Sequence, residues 1–358
     1  MTKRHEPGGR VKSLRLLRSW SQAELADRAG ISRTAVSAVE MGRLVPSVAA
    51  ALSLAYALGC TVEELFGVAE PPGGPEWAWP PGRDPCRFWR AEVGGRTLLY
   101  PVEASPMGFV AHDGISRGGH LTEDDEDPRR TLVLACCDPA VGLLADIYAR
   151  TTGDRLLVLP RSSGKALALL QAGLVHVAGV HLAAAEEDGG NAEAVRQLVS
   201  DDVTLLRVAR WEEGVALAPG VAARSVRSTL GSKLTWVGRE TGSGARRCLD
   251  EVLAGRPAPR RLAYDHRGVA EAIRCGWAEA GVCLRLTGEE AGLQFLGVRV
   301  EGYDLCFPRR WEDDPRIQAL IRVVRSAPYR RLLAELPGYD PTEAGQVERL
   351  AIGPRDTP

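Results

Sequence analysis

Residues 21–40 read SQAELADRAGISRTAVSAVE, which is two short helical patterns with a tight turn between them. Ser21 and Glu24 have the spacing of a capping box and predict the start of the first helix. Gly30 predicts the end of that helix. Ser32 predicts the cap of a second helix that runs to the end of the stretch. A helix, a short turn and a second helix form the unit that places its second helix in the major groove of DNA.

Residues 11–66 as a whole read as consecutive short helices, and they resemble the Cro/repressor-like (XRE) helix-turn-helix family. The positions that carry the resemblance are Ser21-Gln22, Leu25-Ala26, Gly30-Ile31-Ser32-Arg33, Val36-Ser37, Glu40, Gly42-Arg43, Pro46-Ser47, Ala57-Leu58-Gly59 and Glu64-Leu65-Phe66. In that family the first turns of the second helix reach base edges. The resemblance therefore implies an all-α DNA-binding domain with contacts from Gln22, Ser32, Arg33, Thr34, Ser37 and Arg43.

The chemistry of these side chains agrees with the roles that the resemblance implies. Arginine can hold guanine O6 and N7 with two hydrogen bonds, so Arg33 is the expected specificity residue, and Thr34 and Ser37 can read several base edges. Gln22 and Arg43 are expected to hold phosphates. The plainer interpretation, that these residues only decorate a helical bundle, stays open. A single domain of this kind reads a half-site, so we expect a homodimer on double-stranded DNA with a near-palindromic operator.

The composition places limits on the whole chain. A length of 358 residues predicts two or three domains. Lys and Arg total 45 against 46 Asp and Glu, so the formal charge of −1 excludes a polycation that coats nucleic acid. Eight cysteines are scattered without a Cys-x-x-Cys pair, which favours a reducing compartment over a disulfide framework. Residues 1–20 lack the apolar core of a secretory signal, so we expect a cytoplasmic protein with no membrane partner.

The run AEPPGGP at 69–75 is rich in chain breakers and marks a domain boundary. We expect a helix-turn-helix domain over 1–68, a linker with a small β segment over 69–130, a ligand-binding domain over 131–340 and a C-terminal tail over 341–358. Within the β segment, Gly94-Gly95 supplies the positive φ angles that a hairpin turn needs.

After residue 130, apolar strand-like runs alternate with helical ones, which predicts a mainly parallel sheet with helices on both faces. The expected elements are strands at 131–136, 156–159 and 175–180, helices at 140–150 and 165–171, strands at 203–209 and 215–218 that cross into a second lobe, and a closing helical pattern at 314–336. The second lobe repeats the same alternation. Two α/β lobes imply a cleft at which the carboxyl ends of the strands converge and ligands bind.

Three turns that follow strands in this region are rich in small hydrogen-bond donors. They are Cys137-Asp138-Pro139, Ser162-Ser163-Gly164 and Arg239-Glu-Thr-Gly-Ser-Gly-Ala-Arg246. Free backbone N–H groups and the helix dipole favour an anion at a helix start. The last turn is too short for a Walker A loop and lacks the third glycine of a dinucleotide fingerprint, which disfavours nucleotides. We therefore expect the three turns to form one anion clamp.

Residues 131–335 resemble the periplasmic-binding-protein-like domain that is related to bacterial molybdate-binding proteins and also occurs behind helix-turn-helix units. The positions that carry this resemblance are Asp138-Pro139, Ser162-x-x-Lys165-Ala-Leu, Ala178-Gly179-Val-His181-Leu182, Asn191, 214–220, Arg239-x-x-Gly242-Ser-Gly-x-Arg246, Val269-Ala270, Gly276, Ala280-Gly281 and Tyr303-Asp-Leu305. The resemblance implies a two-lobed fold that holds a small anion such as molybdate or tungstate, with no other cofactor. The implied ligand-binding residues are Cys137, Asp138, Ser162, Ser163, Arg239, Thr241, Gly242, Ser243, Arg246 and Tyr303.

Several of these positions have a second interpretation. The vicinal Cys136-Cys137 pair either packs as two small apolar residues or adapts the pocket to a soft or redox-sensitive ligand. His181 is expected to be structural. Arg246 can pair with Asp250, one turn further along its own helix.

Catalytic signatures such as Gly-x-Ser-x-Gly or His-Glu-x-x-His do not occur in the sequence, so we expect no enzyme activity. The sequence favours a ligand-responsive transcriptional regulator. One alternative is a repressor whose second domain only dimerises and binds no ligand. Another is a regulator that binds a small organic or thiol-reactive ligand.

Overall fold

The structure is a computed structural model that describes residues 9–18, 20–60, 62–66, 75–104, 108, 110–124, 126–184 and 190–352. The chain divides into two compact units, Met1–Gly74 and Pro75–Pro358, and the division falls within the breaker-rich run. In the described part of the chain, no helix has the length and apolar character needed to cross a membrane.

The first unit is built from short helices whose ends are set by capping residues. They are α1 (Gly9–Leu17), α2 (Gln22–Ala29), α3 (Arg33–Glu40), α4 (Val48–Leu58) and α5 (Val62–Phe66). The Ser21 hydroxyl accepts from the Glu24 N–H at 3.1 Å and the Glu24 carboxylate accepts from the Ser21 N–H at 2.6 Å, so the predicted capping box is present. Gly30 ends α2 with φ at 63°, and Ser32 caps α3.

The helices of this unit share one apolar core, in which Leu25 and Val36 are fully buried. A buried ion pair joins α1 to α3, since Arg15 Nε donates to Glu40 Oε1 at 2.6 Å. The Gln22 amide donates to the other Glu40 oxygen at 2.9 Å. Burial alone would raise the pKa of Glu40, but Arg15 and Gln22 hold that pKa below its ordinary value. The three helices are therefore tied together at the carboxyl end of α3.

The second unit begins with a small sheet. Its strands are β1 (Glu76–Trp77), β2 (Cys86–Val93), β3 (Arg96–Pro101), β4 (Gly114–Arg117) and β5 (His120–Glu123), in the order β1-β3-β2-β4-β5. Gly94 and Gly95, with φ at 60° and 79°, turn β2 into β3 as predicted. Trp89 and Tyr100 pack in the same core as Val133. The small sheet is therefore part of the second unit.

A ten-stranded sheet and its flanking helices make up the rest of this unit. The strands are β6 (Thr131–Cys136), β7 (Arg155–Pro160), β8 (Val177–Val180), β9 (Val203–Leu217), β10 (Trp236–Gly238), β11 (Arg261–Leu262), β12 (Ala280–Leu284), β13 (Gln294–Pro308), β14 (Tyr339–Asp340) and β15 (Val347–Leu350). The helices are α6 (Val141–Thr152), α7 (Ser163–Gln171), α8 (Gly190–Leu198), α9 (Val226–Gly231), α10 (Gly244–Leu253), α11 (His266–Arg274), α12 (Arg285–Glu290), α13 (Pro315–Arg325) and α14 (Ala327–Ala334).

Two long strands connect two lobes within this sheet. β9 and β13 lie antiparallel beside each other. The first lobe contains β8, β6 and β7 on one side of this pair, and the second lobe contains β12, β10 and β11 on the other. The neighbours β6–β7, β6–β8, β10–β11 and β10–β12 are parallel. Separate apolar cores cover the faces of each lobe. This architecture confirms the predicted two-lobed α/β fold, but the sheet is mixed and not mainly parallel, because β9 and β13 run antiparallel to each other and to their neighbours β12 and β8. The carboxyl ends of the parallel strands point toward one cleft.

Three elements differ from the sequence-based expectation. Residues 203–217 form one strand instead of two, because Glu213 at the break in the apolar pattern is buried 3.5 Å from the Arg299 guanidinium. The helical pattern at 314–336 is two helices, since Ser326 ends α13 and caps α14. Residues 347–350, expected in the tail, form β15 along β9 with Leu350 in the core.

Candidate functional site

The first turn of α3 carries three of the predicted DNA contacts on an exposed surface. The Ser32 hydroxyl accepts from the Ala35 N–H at 3.1 Å and lies 2.9 Å from the Thr34 hydroxyl. Arg33 is exposed, and it makes no hydrogen bond or ion pair with the residues that the structure describes. A guanidinium held on the opening turn of a helix without an internal partner is available to a base edge.

The other three predicted contacts lie around this turn. Arg43 is exposed in the segment after α3, and Ser37 is half-buried one helical turn after Arg33. The Gln22 amide already donates to Glu40 at 2.9 Å, so part of its hydrogen-bonding capacity is used inside the unit. The expected phosphate contact of Gln22 would depend on its remaining N–H and carbonyl oxygen.

A small cavity lies between the two lobes of the second unit, beside the carboxyl ends of the parallel strands. Its volume is about 20 Å³, which is room for about one water molecule. Four of the predicted ligand-binding residues line it, namely Cys137, Asp138, Ser162 and Arg239. The rest of the lining is Cys136, Pro139, Pro160, Arg161, Lys165, Glu240, Tyr264, Asp265, His266 and Arg267.

Arg239 follows β10 and lies against this cavity with only 1 % of its surface exposed. Within the described part of the chain, none of its three guanidinium nitrogens has a hydrogen-bond partner. Burial lowers the pKa of His266 well below its ordinary value, and the nearby Arg239 charge lowers it further. A buried cation without a partner costs several kcal/mol, so an anion in this cavity would stabilise the arrangement.

Contacts across the cleft hold the two lobes together. The Ser162 hydroxyl donates to Glu240 Oε1 at 2.7 Å, and the Lys165 ammonium donates to Glu240 Oε2 at 2.5 Å. The Gly164 N–H donates to the Gly242 carbonyl at 3.2 Å. The start of α7, which was expected to receive a ligand, is therefore occupied by a carboxylate and a carbonyl of the other lobe.

The glycine-rich turn before α10 serves the close approach of the lobes. A Cβ atom on Gly244 would lie 2.3 Å from the His181 carbonyl oxygen and 2.4 Å from His181 Nδ1. Gly242 has φ at 88°, and its carbonyl is the partner of Gly164. Packing against the opposite lobe therefore requires glycine at 244, and the positive φ favours glycine at 242. The described residues around them do not form a phosphate-like cradle.

The hydroxyls predicted to form a clamp do not meet at the cavity. Ser163 Oγ accepts from the His181 N–H at 3.1 Å, and Ser243 Oγ accepts from the Arg246 N–H at 3.2 Å as the cap of α10. Thr241 is exposed. Each of these side chains supports local structure or faces solvent, and the structure does not bring them to one point.

Two further predicted ligand residues are engaged elsewhere. Arg246 Nε donates to Asp250 at 2.8 Å, which is the alternative pairing that the sequence left open. Tyr303 is buried, and its ring stacks on Trp211 with the ring centroids 4.3 Å apart. Tyr303 therefore lies in the core of the first lobe and does not close the cleft.

A buried polar cluster lies next to the cavity, where β9 and β13 cross between the lobes. His181 Nδ1 is 2.7 Å from Glu301 Oε2, and His181 Nε2 is 3.1 Å from Cys137 Sγ. Arg299 Nη2 lies 2.5 Å from Glu301 and 3.5 Å from Glu213. Burial alone would lower the pKa of His181, but Cys137 and Glu301 raise it well above its ordinary value.

Two more residues complete this region. Asp138 accepts from the Tyr339 hydroxyl at 2.7 Å and from the Ala140 N–H at 2.8 Å, and burial raises its pKa to about 6. His266 begins α11 and is fully buried. The sequence analysis missed His266. The cap residue Asp265 was the local signal that could have placed it at a helix start near a strand end.

Two family models match the chain. The model for the PBP superfamily domain matches residues 145–325, and the helix-turn-helix model matches residues 11–65. The first match lies on the two lobes of the second unit, and the second includes the capped helices α2 and α3.

Individual proteins are also similar to parts of the chain. The uncharacterized protein YvgK of Bacillus subtilis (strain 168) is 23% identical over 237 residues, which is 63% of this chain and 76% of YvgK. The uncharacterized HTH-type transcriptional regulator YgzD of the same organism is 36% identical over 61 residues, 17% of this chain and 92% of YgzD. The structure of PhnD1 from Prochlorococcus marinus in complex with methylphosphonate is 10% identical with a TM-score of 0.42, and covers 62% of this chain and 93% of PhnD1.

The model of the PBP superfamily domain spans half of the chain, and it coincides with a unit in which two α/β lobes are joined by two crossing strands. Both resemblances identified from the sequence are confirmed. The chain therefore belongs to the family of proteins with a PBP superfamily domain, and a helix-turn-helix domain precedes that domain in the sequence.

Proposed function

We propose that this protein is a ligand-responsive transcriptional regulator whose helix-turn-helix unit binds DNA and whose PBP-like unit binds a small anion beside Arg239. The observation that supports the anion is the fully buried guanidinium without a hydrogen-bond partner among the described residues. A planar guanidinium matches carboxylates and tetrahedral oxyanions through paired N–H donors. Molybdate and tungstate, expected from the family resemblance, belong to that class.

Ligand entry requires the lobes to separate, because the closed cleft encloses only about 20 Å³. Separation would break the contacts of Glu240 with Ser162 and Lys165. A bound anion could then bridge Arg239 of one lobe to the same serine and lysine of the other. In this proposal the ligand takes over a role that the Glu240 carboxylate has in this structure.

The anion would control DNA binding if the anion and the DNA each bind one arrangement of the lobes more tightly than the other. Hinge motion between lobes is a common way for such domains to respond to ligand. A coupling free energy of about 1–3 kcal/mol between the two sites is enough for regulation. A regulator of this kind must work in the compartment that holds the DNA, which for this protein we propose to be the cytoplasm.

The proposed homodimer is supported by an apolar surface on the first unit. Val48, Leu52 and Tyr56 on α4 are more than half exposed, and Val45 before the helix is 88 % exposed. Together with neighbouring residues they line a groove of about 800 Å³. A contiguous apolar surface of this kind marks an interaction site, and a two-fold arrangement would cover it with the same surface of a second copy.

Isothermal titration calorimetry of the full-length chain tests the proposed ligand site. The titrants are molybdate, tungstate, phosphate, sulfate and a short dicarboxylate. We expect at least one to bind, and the substitution Arg239→Gln to weaken that binding by about 30-fold or more, since loss of a buried charged partner costs 2 kcal/mol or more.

The matched control is Arg274→Gln, because Arg274 is an exposed arginine that pairs with Glu271 on its own helix, α11. This variant should bind the anion as the unchanged chain does. Equal weakening by both substitutions would contradict a site at Arg239.

A second candidate function is favoured by the closed cleft. The direct contacts of Glu240 across the lobes and the small cavity fit a repressor whose second unit binds no ligand and serves only to dimerise. Absence of heat with every anion of the panel, in a protein that still binds DNA as a dimer, would favour this candidate.

A further inference from the structure

We propose that Cys137, His181 and His266 form a binding site for a thiophilic transition-metal ion, with Zn²⁺ and Cu⁺ as the two ions to be distinguished. Cys137 and His181 directly follow β6 and β8, and His266 begins α11, so only the fold brings the three side chains together. Their donor atoms, one sulfur and two imidazole nitrogens, all lie within 4.8 Å of one another. All three residues are buried.

The spacing of the donors suits a tetrahedral ion after small movements. Metal–sulfur bonds near 2.3 Å and metal–nitrogen bonds near 2.0 Å place tetrahedral ligands about 3.3–3.6 Å apart. The Cys137 Sγ to His181 Nε2 distance is already 3.1 Å. Thiolate and imidazole donors select Zn²⁺ and Cu⁺ over ions such as Mg²⁺ or Ca²⁺, which prefer oxygen.

His266 gives an independent reason to expect a ligand here. It is fully buried, and neither ring nitrogen has a hydrogen-bond partner among the described residues. Buried polar groups in folded proteins almost always have a partner, so a buried imidazole without one among the described residues points to a bound ion or water at this position. Its ring centroid is 5.4 Å from that of His181.

The contacts of His181 resemble those of a metal ligand. Its Nδ1 faces Glu301 at 2.7 Å, which fixes the ring and leaves Nε2 directed toward Cys137. Metal-bound histidines commonly use their second nitrogen in this way, with a carboxylate behind them. Glu301 is held in turn by Arg299 at 2.5 Å. The ring orientation that metal binding needs is therefore already fixed.

A different choice of ligands in the same region is less suitable. His181, Glu213 and Glu301 also lie within 4.8 Å of one another. Both of these carboxylates face the Arg299 guanidinium, which supplies the positive charge that a cation would otherwise provide. Among the described residues, no arginine or lysine is hydrogen-bonded to Cys137, His181 or His266, although the Arg239 charge lies near His266.

Metal binding at this site replaces the S–H bond of Cys137 with a metal–sulfur bond, so the net charge of the site rises by one for Zn²⁺ and is unchanged for Cu⁺ when only the thiol proton is lost. The Cys137 thiol gives up its proton to solvent as the metal–sulfur bond forms, and any proton on the two imidazole nitrogens that bind the ion is released as well. No electron transfer is involved. The three side chains leave a fourth position on a tetrahedral ion, and since Cys137 and His266 line the same cavity as Arg239, an anion could occupy it.

The test is metal binding by the full-length chain after treatment with chelator and reductant. Titration with Co²⁺, which substitutes for Zn²⁺, should give a thiolate-to-metal charge-transfer absorption that saturates at one ion per chain. Zn²⁺ should then displace the Co²⁺ and remove the band. A parallel titration with Cu⁺ and a competing Cu⁺ chelator shows which of the two ions is bound more tightly.

Variants of single residues show which side chains bind the Co²⁺ ion that produces the charge-transfer band. Cys137→Ser should abolish it, and His266→Gln should weaken binding by about 10- to 100-fold or more, with little effect on folding because the ring makes no hydrogen bond to the residues that the structure describes. Cys275→Ser changes an exposed cysteine and should leave the band intact. Circular dichroism of each variant confirms that it is folded.

The outcomes separate this proposal from the proposed anion site. Arg239→Gln should keep metal binding even where it removes anion binding. If no anion binds and the Co²⁺ band is normal, the result would support the metal site and contradict the anion site. A band that survives in Cys137→Ser, or a folded wild-type chain that binds neither ion, would overturn the metal site.

Discussion

His176 is a buried histidine that connects the small sheet to the first lobe. Its Nδ1 accepts from the Val133 N–H at 3.0 Å, and its Nε2 donates to the Glu92 carbonyl at 2.9 Å. Burial lowers its pKa to about 3, with a further contribution from the nearby Arg316 charge. The imidazole therefore stays neutral in the folded protein over a pH range in which an unfolded chain would protonate it.

This depressed pKa predicts acid sensitivity with a definite sign. The stability that His176 contributes is fully present above pH 6.5 and is lost as the pH falls toward 3, because the unfolded chain binds the extra proton. The slope is at most about 1.4 kcal/mol per pH unit. The substitution His176→Asn should lower the free energy of unfolding near pH 7.5 and remove this part of the pH dependence.

The measurement is urea unfolding of the full-length chain between pH 7.5 and 4.5, followed by tryptophan fluorescence, since the Trp311 ring lies 5.5 Å from His176. The difference in the free energy of unfolding between wild type and His176→Asn should become smaller as the pH falls. His120→Asn, a change at an exposed histidine, is the control and should behave as wild type. A difference in the free energy of unfolding that stays constant with pH would contradict the explanation.

Arg239 and His266 are residues for which the local sequence gave incomplete information. Arg239 was identified because it begins a glycine-rich turn, and the structure places it at the cavity. His266 follows no glycine-rich turn and had only the cap residue Asp265 as a local signal, and its position beside Cys137 depends on the pairing of β11 with β10 in the second lobe. The role of Glu240 as an internal partner of Ser162 and Lys165 also depends on that long-range arrangement.

At the scale of elements, helix α4 presents an apolar face that its own unit does not cover. We expect Leu52→Glu combined with Tyr56→Glu to separate the proposed dimer, because charges on a buried two-fold interface would repel each other and lose water. Light scattering of the full-length chain should show a monomer, and affinity for a near-palindromic DNA should fall.

The control for this prediction is Leu198→Glu, which places the same charge on an exposed apolar residue of α8 in the second unit. This variant should have the same molecular mass by light scattering and the same DNA affinity as wild type. A monomer in the wild-type chain at all concentrations tested would contradict the assignment of the α4 face to self-association.

Elements defined by local signals were predicted well, and elements defined by distant contacts were not. The ends of α2 and α3 follow from Ser21, Gly30 and Ser32, since caps act within one helical turn. β9 was interpreted as two strands because a buried Glu213 looks like a loop residue until its partner on β13 is known. The predicted clamp of hydroxyls is not assembled in this structure for the same reason, because its assembly depends on what the opposite lobe presents.

At the scale of the whole molecule, the chain joins a helix-turn-helix domain to a two-lobed domain. The buried Arg239 guanidinium at the cleft has no hydrogen-bond partner among the described residues. The family membership establishes the combination of domains. The proposed regulatory function adds one physical claim, which is that an anion bound at Arg239 changes the affinity for DNA. That claim makes the two sites thermodynamically reciprocal, so DNA should change anion affinity by the same factor.

The most direct test measures DNA affinity by fluorescence anisotropy, with an operator selected by the full-length chain from a random DNA pool. Affinity is compared with no added anion and with saturating molybdate, tungstate or phosphate. We predict that at least one anion changes the affinity of wild type by about 5- to 150-fold, while Arg239→Gln binds the DNA equally well without anion and does not respond. The same response in Arg239→Gln, or no response of wild type to any of the three anions, would contradict the account.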